Sequence, residues 1–172
     1  MAANRSIARS GRTEVTVDAP VDAVWRVVSD VTRASEWSHE CHRVTWLPGT
    51  TKAAPGARFR GSNRSGRLQW SRVCEIFAFD APREIAWRTV PTTLQPDSTD
   101  WRITLEPTGD QTRIVQTFQV TSMPRWLDWI LTRMNPLHID RAEALTDDLA
   151  RIATIAAASP HRTDPKPSTT TS

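Results

Sequence analysis

Beyond Pro124 the hydrophobic pattern of this chain changes period from about two to about 3.6, and that switch sharply limits the folds open to it. Before it, apolar and polar residues alternate in short runs separated by turn residues. The clearest case is Trp101, Ile103 and Leu105 facing one way with Arg102, Thr104 and Glu106 facing the other. Similar runs over residues 14–18, 43–47, 57–63, 68–79, 84–90 and 112–120 predict half-buried strands, with Pro48-Gly49, Ser65-Gly66, Ala81-Pro82 and residues 107–110 as the turns. Two short helices interrupt the series after the first strand. One over residues 20–29 starts at a proline suited to a first helical turn and repeats Val21, Val24, Trp25 and Val28 at helical spacing. The other, over residues 32–37, is begun by Thr32. After the switch, Trp126, Trp129, Ile130 and Met134 form one helical stripe. Pro136 must interrupt it, because proline has no amide hydrogen and collides with the preceding turn. Ala142, Leu145, Leu149, Ile152 and Ala156 then continue an apolar stripe, with Arg141, Glu143, Asp147, Asp148 and Arg151 off it. The pattern predicts an α+β domain in which a meander of about seven antiparallel strands meets a long amphipathic C-terminal helix.

A chain of 172 residues supports one hydrophobic core and not two. The last stretch, residues 159–172, holds three prolines and a Ser/Thr run without a large apolar side chain, and is expected to be a disordered tail. Residues 1–9 read the same way, leaving residues 10–158 as the domain. No run has the length of a membrane-spanning helix and the start lacks the apolar core of a signal peptide, so a cytoplasmic location without stable membrane insertion is expected. Cys41 and Cys74 fit free thiols in a reducing compartment. The net charge of +3 is owed largely to basic residues near the termini; in the basic stretch from Arg58 to Arg67 four of the basic residues sit at a predicted hairpin, where a solvated turn explains them, so no nucleic-acid partner is expected. Tyrosine is absent, so no phenol is available to act inside a pocket.

The order strand, two short helices, six strands, long helix resembles the START-like or SRPBCC superfamily, which includes Bet v 1-type proteins and polyketide cyclases. The local sequences agree. Residues 17–25, Val-Asp-Ala-Pro-Val-Asp-Ala-Val-Trp, are similar to that superfamily's approach to its first helix. Residues 29–37, from Ser29-Asp30 to Trp37, resemble the segment that follows. Residues 56–64, Trp70, Ile85-Ala86-Trp87 and residues 101–107 are similar to bacterial members of the polyketide cyclase/dehydrase type. The resemblance extends over residues 13–157 and implies a helix-grip fold: a curved sheet around the C-terminal helix, with a cavity between them.

If such a cavity exists, the aromatic and apolar residues predicted to face inward would line it: Phe59, Trp70, Trp87, Trp101, Phe118, Trp126 and Met134. The partner implied is a small hydrophobic molecule such as a lipid, polyketide or aromatic metabolite, held by a monomer or homodimer without a cofactor. A cyclase or dehydrase would need polar groups inside the hollow as well. Arg72, His42 and Asp100 are the candidates, arginine being suited to stabilise an enolate oxygen because it stays charged. An inward cluster of arginine, histidine or acid would favour an enzyme, and a purely apolar cavity would favour carriage. The run Ser38-His39-Glu40-Cys41-His42 contains zinc-ligand types, but it leaves a helix for a strand and finds no second ligand pair until His138 and Asp140, so no metal is expected. Eight tryptophans exceed what one cavity needs, which leaves a surface role in dimer formation open.

Overall fold

The computed structural model of the chain describes residues 6–134 and 139–158. Seven strands form one antiparallel sheet: β1 (Ser10–Val17), β2 (Cys41–Trp46), β3 (Arg58–Ser65), β4 (Leu68–Asp80), β5 (Glu84–Thr89), β6 (Ser98–Thr108) and β7 (Gln111–Ser122). Their spatial order is β1-β7-β6-β5-β4-β3-β2, so the chain meanders from β2 to β7 and β7 then pairs with the first strand. The helices are α1 (Val21–Val28), a 3-10 turn (Val31–Arg33) leading into α2 (Ala34–Trp37), α3 (Arg125–Met134) and α4 (Ala142–Ala158). Helix α4 packs against β1, β7, α1 and α2, which gives the helix-grip architecture that the family resemblance implies.

The alternation read from the sequence accounts for the solid part of the core. Val24, Val27 and Val28 of α1, Ile76 of β4, Ile85 of β5, Ile103 of β6, Ile114 of β7, and Leu149 and Ile152 of α4 are almost wholly shielded from water. Burying each such side chain contributes roughly 1.5 to 3 kcal/mol. The junction between β1 and α1 is tied to the neighbouring strand β7 by the buried Thr112 hydroxyl, which donates to the Ala19 carbonyl at 2.8 Å. In β4 the register shifts between Ile76 and Ala78. Such a bulge re-aims the side chains beyond it. Phe79 meets Trp25 of α1 at a centroid distance of 5.2 Å, while Phe77 lies under the guanidinium groups of Arg88 and Arg102.

Several local expectations need correction. Asp30, not Thr32, caps the turn before α2: its carboxylate accepts from the Thr32 amide at 3.0 Å and the Thr32 hydroxyl at 2.6 Å. Asp148 is off the apolar stripe in type but not in place, for it is 2% exposed on the inner face of α4. Residues 6–9, read from composition as part of a disordered start, are anchored. Ile7 is buried and its amide donates to Asp128 at 3.0 Å, and Arg9 pairs with the other oxygen of the same carboxylate at 2.7 Å. A single apolar side chain held by two polar contacts escapes a reading based on average composition. Residues 1–5, Pro136 with its expected kink, His138 and the expected tail over 159–172 lie outside the described residues.

The candidate ligand cavity

The concave face of the sheet does not close completely on α4. A cavity of about 310 Å³ remains between β3 to β7, the α2 turn, α3 and the first half of α4. The register explains why so many aromatic side chains reach it. Ile76, Trp87, Trp101, Phe118 and Gly11 are partners in succession across β4, β5, β6, β7 and β1, so their side chains, where they have one, share a face. Trp70, Arg72 and Cys74 follow at alternate positions on β4 and point the same way.

Of the residues expected on the wall, Phe59, Trp70, Trp87, Trp101 and Met134 are there. Phe118 and Trp126 are not. Phe118 is buried, but its ring lies over Gly11, where a β-carbon would occupy the same space, and packs on Trp101 at 5.3 Å. The missing side chain on β1 draws the ring away from the hollow. Trp126 is on the outer side of α3 and 56% exposed, as the helix turns Leu127 and Leu131 inward instead. Among the polar candidates only Arg72 lines the cavity. His42 is exposed on β2, and Asp100 pairs with Arg88 at 3.1 Å on the other face of the sheet.

The polar part of the wall was mostly missed in the sequence. Arg72 is fully engaged: one terminal nitrogen bonds both carboxylate oxygens of Asp97 at 2.7 and 2.6 Å, and the other donates to the Asp97 carbonyl at 2.7 Å. Such a buried pair costs desolvation and is held by its geometry. His39, from the end of α2, donates through Nδ1 to Asp148 of α4 at 2.7 Å, and Asp148 also accepts from Arg151 at 2.9 Å. Burial pulls the His39 pKa down, but the hydrogen bond and charge of Asp148, helped by Glu40, outweigh it and hold the imidazole above its ordinary value of 6.5. By its polarity Asp148 falls off the apolar stripe, although its spacing from Leu145 is the one signal for an inward position, since residues 145, 148, 149 and 152 share one helical face.

Arg141, just ahead of α4, is the remaining cation on the wall. Its guanidinium lies 5.5 Å from the Trp101 ring centre and 5.4 Å from that of Phe118, and its buried Nε has no hydrogen-bond partner among the described residues. Burial lowers its pKa against the opposing charges of Glu40 and Asp97, though a guanidinium stays protonated at any working pH. Gln116 Oε1 on β7 and Trp37 Nε1 on α2 are likewise buried without partners, and both residues also line the cavity. An unmet buried polar atom costs about 1 to 3 kcal/mol, and these three belong to side chains that border the cavity. Cys74 offers no nucleophile: burial pushes its thiol up to about 12. Among the described residues no cluster of histidine, cysteine and acids is arranged to hold a metal.

A curved sheet gripping a helix over a hollow lined by aromatics and a few polar groups defines a helix-grip protein of the small-molecule-binding kind. A model of one such family, polyketide cyclase / dehydrase and lipid transport, matches residues 9–155, and the chain belongs to that family. Solved structures agree on the fold. The protein TTHA0849 from Thermus thermophilus is 16% identical with a TM-score of 0.67, covering 87% of this chain and 99% of its own. The Zhui aromatase/cyclase from Streptomyces sp. R1128 is 20% identical with a TM-score of 0.66, covering 87% of this chain and 93% of its own. DR_A0006 from Deinococcus radiodurans is 17% identical with a TM-score of 0.61, covering 84% and 95%. No curated protein matches the chain in sequence.

Proposed function

We propose that the protein binds a small molecule with a flat apolar body and an oxygen-bearing end, the body lying between Trp70, Trp87 and Trp101 and the oxygen accepting from Arg141. The observation that carries this reading is the unpartnered Arg141 Nε set among aromatic rings in a mostly apolar hollow. Arg72 and Asp148 are neutralised by Asp97, and by His39 and Arg151, so these groups have less to offer a guest. A cavity of this size suits a compact ring system better than a long acyl chain.

A second reading, a cyclase or dehydrase acting on such a guest, is favoured by the His39–Asp148 pair. Its imidazole lines the cavity and is placed to give or take a proton while Arg141 holds an enolate oxygen. The similarity of fold to the Zhui aromatase/cyclase is in keeping with it.

Native mass spectrometry of the gently purified protein, followed by extraction, will identify any molecule that travels with it. For affinity, 2-naphthoic acid and 2-methylnaphthalene are compared as displacers of anilinonaphthalene sulfonate. We expect the acid to bind more tightly, and Arg141→Met to weaken it about tenfold, the worth of one charge-assisted hydrogen bond, while leaving the hydrocarbon unaffected. Equal loss for both probes would sink the role given to Arg141. Failure of either to displace the dye would sink the cavity as the site.

A further inference from the structure

We propose that the mouth of the cavity docks on an anionic lipid surface. The large hydrophobic side chains most exposed among the described residues are Leu94, Trp126, Trp129 and Met134, at 88%, 56%, 59% and 55%. They are not scattered. Leu94 belongs to the loop between β5 and β6 and the other three to α3, and these two segments also wall the cavity through Leu94, Leu127, Leu131 and Met134. Helix α3 therefore has two apolar sides, one facing the hollow and one facing water, and none of its residues is buried. Two exposed indoles and an exposed leucine on the two segments that wall one cavity are an expensive surface to leave in water.

The charge around the opening says what covers it. The β3–β4 hairpin, which contributes Asn63, Leu68 and Trp70 to the cavity, carries the exposed Arg64 and Arg67, and α3 carries the exposed Arg125 and Arg133. The guanidinium of Arg133 lies over the Trp129 ring at 4.0 Å. The two carboxylates on the β5–β6 loop and α3 are already engaged, Asp97 by Arg72 and Asp128 by Arg9 and the Ile7 amide. The rim is thus apolar and cationic. A second copy of the chain would set these arginines against one another. A nucleic acid would suit the arginines but gain nothing from Leu94. A bilayer surface with anionic headgroups satisfies both, because indoles and arginines settle at the boundary between hydrocarbon and headgroups, and each arginine near such a surface adds attraction. Docked in this way, the cavity opens toward hydrocarbon, and an apolar guest passes between membrane and protein without crossing water.

The full chain is sedimented with vesicles of phosphatidylcholine alone and of phosphatidylcholine with one third phosphatidylglycerol. Binding is expected to the second only, and to fall as salt is raised. Trp126→Ala with Trp129→Ala should lower it about tenfold or more through lost apolar contact, and Arg64→Gln with Arg67→Gln about thirtyfold. All four positions are exposed, so the circular dichroism and the dye displacement of both variants should match the parent. Three results would overturn the proposal: no preference for the anionic vesicles, a dimer by light scattering that the tryptophan variant loses while vesicles go unbound, or retardation of an oligonucleotide that the tryptophan variant retains.

Discussion

At the scale of single residues, the His39–Asp148 pair makes the most specific demand on the molecule. Asp148 is 2% exposed and His39 19%, so the pair joins the end of α2 to α4 with little help from water. The imidazole pKa is raised in the folded protein, so the stability it adds is fully present below its ordinary value of 6.5 and is lost as pH rises through the raised value. Urea unfolding of the parent and His39→Asn should therefore differ most under mildly acid conditions and converge as the solution becomes alkaline, since asparagine still donates to Asp148 but cannot titrate. A difference that is the same at both ends of that range would mean the histidine acts as a neutral donor only. Residues of this kind were the least legible in the sequence. His39, Asp97, and the pair Arg141 and Asp148, just ahead of and within α4, sit in three separate segments, and their meeting depends on the angle at which α4 crosses the sheet, which no local pattern encodes. Arg72 was readable because strand alternation fixes its face relative to Trp70 and Cys74, whereas nothing in the alternation announced that Asp97 would occupy it.

Elements were far easier to read than sites. The period-2 runs gave all seven strands and the period-3.6 stripes gave α1, α3 and α4, because a residue's face follows from its number once the element type is known. Most of the strand ends differ by only one to three residues from the patterns. The main excess is at the starts of two strands, where β6 begins at Ser98 and β1 at Ser10. Those extensions are mostly polar stretches that continue pairing without an alternating apolar signature: Ser10 through Thr13 of β1 partner Gln119 back to Gln116 of β7. At Gly11 in this stretch the absence of a side chain is structural, since it admits the Phe118 ring. Gly11→Ala should displace that ring toward Trp101 and Arg141, at a cost of about 1 to 3 kcal/mol in overpacking. Thermal unfolding together with the dye displacement measures both effects: a loss of stability with altered probe binding supports the account, and an unchanged protein would show that the ring has another place to go.

For the molecule as a whole, stability is spread unevenly, and the division follows the cavity. One end of the grip is solid, with Val24, Val27, Ile85, Ile103, Ile114, Leu149 and Ile152 packed between sheet and helix. The other end is hollow and covered by α3, which has no buried residue and is held at its middle by Asp128, whose carboxylate reaches Ile7 and Arg9. The sequence could not reveal this difference, because a tryptophan that fills a core and one that borders a void have the same spacing. Few buried contacts mean a small free energy of local opening, whereas the sheet and α4 open only with the global transition. Hydrogen exchange should accordingly be fast in α3 and the β5–β6 loop and slow in β6, β7 and the second half of α4. A guest that bridges Arg141 and the tryptophans binds only the closed form, so 2-naphthoic acid at a hundred times its Kd should protect α3 by up to about a hundredfold, the limit that mass action allows. At the same acid concentration Arg141→Met, with its tenfold weaker binding, should cut that protection to about tenfold. An α3 left unprotected by the acid would mean that the guest also binds the open form and that α3 does not cover its site.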